Sequence, residues 1–115
     1  MKAKQITREQ AFHAMENGEF GADVIASADS VAVIMTQDWC PQWAAMKNWV
    51  YSLEGGFVLY ELVYNLTPYF SEFRSFKENV WKNGHIPYVR YYRGGVLAAE
   101  SNYVSRDEFL RNLGL

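Results

Sequence analysis

The feature that most constrains the fold is the apolar run at residues 31–35, which a short link separates from a lone cysteine, Cys40, and from Pro41. An apolar stretch without alternation is typical of a strand buried on both faces of a sheet. Pro41 suits the first turn of a helix because a backbone N–H has no helical partner there. The pattern predicts a central strand that delivers Cys40 to a helix N-terminus, where free N–H groups and the helix dipole favour a thiolate.

The rest of the chain alternates between helical and strand patterns. Thr7 and Gln10 form a capping box, Gly94–Gly95 predicts a tight hairpin, and Ser105 begins a capped last helix. In chain order we expect a helix at 8–16, an edge strand at 24–26, a strand at 31–36, a helix at 41–53, a strand at 57–64, a helix at 67–83, hairpin strands at 88–93 and 96–101, and a helix from 105. This order predicts an α/β fold with a central mixed sheet of four or five strands and helices on both faces.

Composition narrows the class of protein. Half of the 115 residues are hydrophobic and 17% are aromatic, which predicts one ordered domain over residues 1–115. A net charge of −2 without a basic cluster argues against nucleic acid as partner, and neither a signal peptide nor a membrane span is recognisable. One cysteine cannot form an internal disulfide, which fits the reducing cytoplasm. Two histidines and one cysteine lack metal-ligand spacing, so we expect no metal, and a homodimer stays open.

Two segments of the chain resemble motifs of the thioredoxin family. Residues 39–43 resemble its Trp-Cys-Gly-Pro-Cys site, with the first cysteine kept as Cys40, and residues 86–95 resemble its Ile-Pro strand and glycine-containing hairpin. The resemblance implies a thioredoxin-like fold in which Pro87 is cis and lies beside Cys40, while the Ile86 backbone pairs with an extended partner segment. The substrate groove that it implies comprises Trp39, Pro41, Trp43, Ile86 and Pro87.

The chain departs from the family pattern at four positions. Trp43 replaces the resolving cysteine, which rules out intramolecular release of a mixed disulfide. Ile34 aligns with the family's buried acid, and Glu61 aligns roughly with a lysine of the next strand. His85 stands two residues before the proline, where glycine is frequent. These departures place full thioredoxin activity in question and leave a single-cysteine site.

Cys40 has two interpretations. As a nucleophile it would attack a disulfide to give a mixed disulfide, whose release needs an external thiol such as glutathione. As an inert remnant it would only pack against Trp39 and Trp43. Trp43 itself is either a hydrophobic lid beside the thiol or a helix-packing residue, and Trp39 is either part of the groove or an ordinary packed side chain.

Two further residues are candidates for tuning the ionisation of Cys40. An unpaired carboxylate in a central strand is costly, so Glu61 is either a proton acceptor behind Cys40, or turned to a solvated edge or an arginine. His85 either offers a positive charge to the thiolate or to a substrate carboxylate, or is a surface histidine that caps the preceding helix.

Two functions follow from these patterns. The leading hypothesis is a thioredoxin-like protein that performs thiol–disulfide exchange in cell redox homeostasis by a monothiol mechanism, with a thiol- or disulfide-bearing protein or peptide as partner. The alternative is a non-catalytic module of the same fold that binds a peptide or protein through a surface of Trp39, Trp43 and Tyr88. The Cys-Pro pair at a helix start favours the first hypothesis, and the missing second cysteine favours the alternative.

Overall fold

The computed structural model describes residues 2–115, and within them one sheet of five strands is flanked by helices. The elements are β1 (Lys4–Gln5), α1 (Arg8–Asn17), α2 (Ala22–Ile25), β2 (Ser30–Thr36), α3 (Pro41–Val50), β3 (Val58–Val63), a 3₁₀ turn (Tyr64–Leu66), α4 (Phe70–Asn79), β4 (Tyr88–Arg93), β5 (Val96–Ser101) and α5 (Arg106–Asn112). The strand order is β1-β3-β2-β4-β5. Strands β1, β3 and β2 run parallel, whereas β4 and β5 pair antiparallel. The predicted α/β fold with a mixed sheet is therefore confirmed.

The central strand β2 separates two hydrophobic clusters. Every residue of β2 is buried, and successive side chains point to opposite faces of the sheet. Val33 belongs to the cluster under α1 and α4, while Ile34 belongs to the cluster under α3 and α5. Cys40 lies in the second cluster. The uninterrupted apolar run thus marks a strand with a core on each side.

Local signals set most element boundaries. Thr7 and Gln10 form both hydrogen bonds of the capping box at the start of α1, and the Ser105 side chain accepts from a backbone N–H of α5. Gly94 and Gly95 both have positive φ, 61° and 79°, as the two-residue turn between β4 and β5 requires.

Several predicted boundaries are wrong. Residues 24–26 do not form an edge strand: they lie at the end of the short helix α2, with Val24 buried. The strand at the edge of the sheet next to β3 is β1. The sequence pattern missed β1 because a strand of two residues shows no periodicity. Helix α3 ends at Val50 and α4 covers only Phe70–Asn79, so both are shorter than expected.

Candidate functional site

Cys40 is the residue that precedes the first turn of α3. Its backbone is extended (φ −73°, ψ 118°), Pro41 follows at the first helical position, and the Cys40 Sγ accepts the Trp43 backbone N–H at 3.4 Å. A sulfur therefore occupies the capping position that Ser, Thr or Asp oxygens usually take. The residue is 4% exposed, so Cys40 is almost completely buried.

The cis peptide bond Ile86–Pro87 lies beside this sulfur. The Cys40 thiol donates to the Ile86 carbonyl oxygen, with 3.6 Å between sulfur and oxygen. The two segments meet because β2 and β4 are neighbours in the sheet, with Met35 opposite Tyr88. The structure thus brings Cys40 and Ile86–Pro87 together, with the sulfur between one N–H donor and one carbonyl acceptor.

A groove of about 250 Å³ has Ile86 among its lining residues. Trp39 forms one wall; it is 64% exposed, and its indole N–H donates to Gln37 Oε1 at 2.7 Å. The ion pair between Arg74 and Glu78, 3.1 Å apart on α4, forms part of another wall. The groove therefore combines an aromatic surface with charged and backbone groups.

Trp43 is not a groove residue, which corrects the expectation from sequence. It is 2% exposed, meets Tyr51 edge to face with ring centroids 6.1 Å apart, and packs in the cluster under α3 and α5. Tyr88 is also fully buried, so the expected binding surface of Trp39, Trp43 and Tyr88 does not form. Both residues are buried because the core-facing sides of α3 and β4 carry them. Trp39 remains as the exposed aromatic residue of that set.

Glu61 is half-buried on β3, opposite Ile34, and its carboxylate is engaged away from Cys40. Its two oxygens accept from the Tyr51 hydroxyl at 2.5 Å and from Gln5 Nε2 at 2.7 Å. Tyr51 follows the last turn of α3, so about 16 Å of helix separates it from Cys40 along the axis. Burial, reinforced by the Glu61 carboxylate, raises the pKa of Tyr51 well above its ordinary value. Glu61 thus pairs with a tyrosine and a glutamine rather than with the thiol or an arginine.

His85 lies on the loop before Pro87 with an exposed side chain. Among the described residues its hydrogen bonds come from the backbone: the N–H donates to Asn83 Oδ1 at 3.1 Å, and the carbonyl accepts from Lys77 Nζ at 2.7 Å. The loop therefore uses the main chain of His85, and the imidazole is left at the surface near the groove.

Lys77, which sequence reasoning missed, lies buried beneath this loop. Its burial lowers the pKa of its ammonium group to about 8. The signal was its spacing, because Lys77 follows Phe73 by four residues and so shares the buried stripe of α4. Lysine is rarely buried, and its charge argued for the solvent side of the helix.

Arg90 is the second buried cation, and it lies on the α4 side of the sheet. Its guanidinium donates to Glu19 Oε1 at 2.6 Å, to the Tyr88 hydroxyl at 2.8 Å and to the Tyr92 hydroxyl at 2.9 Å. It stacks on Trp81, 4.2 Å from the ring centroid. Burial holds the pKa values of both tyrosines above their ordinary range, so the network contains neutral phenols together with the ion pairs of the guanidinium to Glu19 and, at 3.6 Å, to Glu100. This network ties the loop after α1 to β4.

Residues 2–115 bring no three His, Cys, Asp or Glu side chains together in a way that would hold a metal ion. No helix in this part of the chain has the length and apolar character needed to cross a membrane.

Comparison with solved structures shows that the chain has the thioredoxin fold. It is similar to thioredoxin f from spinach chloroplast (short form), at 16% identity and a TM-score of 0.66, over 98% of this chain and 91% of that one. It is also similar to thioredoxin O1 from Arabidopsis thaliana in its oxidized state, at 13% identity and a TM-score of 0.66, over 98% of this chain and 95% of that one. Thioredoxin f2 from Chlamydomonas reinhardtii is 13% identical with a TM-score of 0.63, over 96% of this chain and 92% of that one. No family model matches the sequence, and a search of curated proteins found no match either. At these identities the likeness establishes the fold alone.

Proposed function

We propose that the protein carries out thiol–disulfide exchange through Cys40 alone, as a monothiol thioredoxin-like protein in cell redox homeostasis. The observation that supports this most strongly is the position of the Cys40 sulfur. It caps α3, accepts the Trp43 N–H, and faces the Ile86 carbonyl beside Pro87. The similarity in fold to proteins named thioredoxins adds support.

The two contacts of the sulfur respond in opposite ways to ionisation. A thiolate still accepts the Trp43 N–H, and the charge strengthens that hydrogen bond. It can no longer donate to the Ile86 carbonyl, which then becomes available to a backbone N–H of an extended partner. Loss of the thiol proton therefore activates the nucleophile and frees the backbone acceptor in one step.

The exchange then proceeds in three balanced steps. The Cys40 thiolate attacks one sulfur of a partner disulfide; the S–S bond breaks, and the other partner sulfur leaves as a thiolate that takes up a proton. Since the chain has no second cysteine, a glutathione thiolate attacks the Cys40 sulfur and releases the partner thiol. A second glutathione attacks the glutathione sulfur, which restores Cys40 and releases glutathione disulfide.

We give the remaining site residues roles in binding the partner and in holding the site. Trp39 supplies an apolar wall for the partner chain, and the Ile86 backbone supplies the pairing edge. Pro41, exposed at the first position of α3, and Pro87, buried after the cis peptide bond, hold the two segments that flank the sulfur. The fitting partner is a protein or peptide that presents a disulfide in an extended segment.

One observation favours the alternative function, a peptide-binding module without turnover. Cys40 is nearly buried, and its thiol is already engaged with the Ile86 carbonyl. A peptide that lies along Trp39 and Ile86 would use the same groove and would not require the sulfur.

Turnover with a peptide–glutathione mixed disulfide separates the two functions. The protein at catalytic concentration is incubated with excess glutathione, and release of the peptide thiol is followed by chromatography. We expect many equivalents released per protein, none above background for Cys40→Ser, and a trapped Cys40 adduct by intact mass when glutathione is left out. If wild type and Cys40→Ser release peptide alike, the nucleophile assignment is wrong; equal peptide affinity of the two by calorimetry would then support the binding module.

A further inference from the structure

Lys77 is a lysine in a place where burial is costly. Only 1% of the residue is exposed, and removal of an ammonium from water destabilises the folded state unless hydrogen bonds replace the lost hydration. It lies on the core side of α4 together with Phe73 and Phe76, positions where an apolar side chain would pack at no such cost. The bonds that Lys77 makes therefore need an explanation.

All the hydrogen bonds of the Lys77 ammonium go to the loop before Pro87. Nζ donates to the Asn83 carbonyl at 2.8 Å, to the His85 carbonyl at 2.7 Å and to Asn83 Oδ1 at 3.4 Å. An ammonium has three N–H donors, so each has a partner. Three titratable residues surround the ammonium. The centroid of the Tyr88 ring on β4 lies 5.5 Å from Nζ, His85 lies on the loop, and Glu78 lies on the same helix as Lys77. Lys77 thus ties α4 to this loop.

Asn102 completes the support from the other side of the loop. Its amide Nδ2 donates to the Pro87 carbonyl at 3.0 Å and to Asn83 Oδ1 at 3.0 Å. The carbonyls of residues 83, 85 and 87 are therefore all held from within the protein. The Ile86 carbonyl, between the last two, points to the Cys40 sulfur instead.

We infer that Lys77 is a positioning residue for exchange at Cys40: it holds the carbonyls of Asn83 and His85 and thereby aims the Ile86 carbonyl at the thiol and at the partner backbone. This inference rests on the proposed function. Because a chain held at the carbonyl before Ile86 and the carbonyl after it has little freedom to rotate the peptide between them, the tie fixes the direction of the acceptor. Lys77 touches neither the sulfur nor the partner.

The protonation state of Lys77 gives the tie a pH dependence. A charged ammonium serves three acceptors, whereas a neutral amine has only two N–H donors. Above a pH of about 8, where burial makes the neutral form available, the loop loses one of its hydrogen bonds and the charge that strengthens the others. The wild-type rate with a peptide should therefore show a decline on its alkaline side that a variant without the amine lacks.

The test compares Lys77→Met with Lys77→Arg and with Lys82→Met, which makes the same substitution at an exposed residue of the same loop. We expect Lys77→Met to slow exchange with the peptide mixed disulfide about tenfold or more, because small displacements of positioning groups have effects of that size. Its alkylation by iodoacetamide, which needs no backbone acceptor, should stay within about threefold of wild type. Lys77→Arg should recover most of the peptide rate, and Lys82→Met should behave as wild type.

Hydrogen–deuterium exchange separates a failure of this inference from a failure of the proposed function. In Lys77→Met, amides of residues 83–86 and of Tyr88 should exchange about tenfold faster or more while those of α3 keep their wild-type rates. If wild type shows no disulfide exchange, the proposed function is wrong and the amide rates still decide the role of Lys77. Unchanged amide rates, or equal loss of the peptide and iodoacetamide rates, would overturn the inference. Should Lys77→Met not fold, Lys77→Gln, too short to reach both carbonyls, takes its place with the same criteria.

Discussion

A rise in pH from 7 to 9.5 will stabilise the protein through Lys77 by about 2 kcal/mol. Burial lowers the pKa of Lys77 from 10.5 to about 8 in the folded state, while the unfolded chain keeps the ordinary value. Between these two values the unfolded state binds more protons than the folded state, so the free energy of unfolding increases with pH. The cost of burying the charge is complete below pH 8 and disappears as the pH approaches the unfolded value.

The magnitude follows from the difference between the two pKa values. At pH 7 both states are protonated, and the cost is close to the full difference, about 3 kcal/mol at roughly 1.4 kcal/mol per pKa unit. At pH 9.5 the folded amine is neutral and the unfolded one is mostly charged, which leaves a cost of about 1.4 kcal/mol. With 1% of Lys77 exposed, solvent screening reduces this difference little.

Urea denaturation of wild type, Lys77→Met and Lys82→Met at pH 7 and 9.5 measures the effect. Other groups that titrate in this range, including tyrosines of the unfolded chain, contribute equally to the three proteins and cancel in the comparison. We expect the stability of wild type relative to Lys77→Met to rise by about 2 kcal/mol across the range, with Lys82→Met parallel to wild type. If the free energies of unfolding of wild type and Lys77→Met change with pH in parallel, within about 0.5 kcal/mol, the argument that burial lowers the pKa of Lys77 is refuted.

The other two predictions contrast a buried with an exposed copy of one residue type. Trp43→Ala should lower the free energy of unfolding by about 3–5 kcal/mol and Trp39→Ala by less than about 0.5 kcal/mol, because Trp43 fills the core whereas Trp39 projects from it. Equal losses in guanidinium titrations would contradict the assignment of Trp43 to the core. Arg90→Met should cost about 3 kcal/mol because it removes the buried donor to Glu19 Oε1 and to two phenol oxygens, while Arg74→Met, from a surface pair, should cost less than about 1 kcal/mol. A similar small loss for both arginines in thermal unfolding would show that the buried network contributes little.

The parts of the fold that could be predicted from sequence are those specified by neighbouring residues. The apolar run specifies β2 and Pro41 specifies the start of α3 through residues that are close together in the chain. The sequence therefore predicts both boundaries to within one or two residues. Strand β1 could not be predicted because pairing with β3, more than fifty residues away, holds it in place. The end of α4 was misplaced for a related reason: tertiary contacts of Trp81, whose indole N–H donates to the Gly18 carbonyl, hold a segment that looked helical.

The residues of the candidate site also fall into those that the sequence could predict and those that it could not. Cys40, Ile86 and Pro87 could be recognised because short motifs carry them, and the adjacent strands β2 and β4 bring them together. The burial of Lys77 and Arg90 could not be recognised, since a buried cation depends on partners that only the folded chain supplies. Glu19 is 71 residues from Arg90 along the chain, and no local pattern connects them.

The replacement of a second cysteine by Trp43 changes less of the site than the sequence suggests. A side chain at this position of α3 packs into the core, whereas the backbone N–H of the same residue points at the Cys40 sulfur. The N–H is present whatever the side chain, so a tryptophan at this position leaves the hydrogen bond to the Cys40 sulfur in place. Under the proposed function, such a site forms a mixed disulfide and lacks only the intramolecular route for its release. In that mechanism the side chain of Trp43 makes an external thiol necessary for release, while its backbone N–H supports the nucleophile.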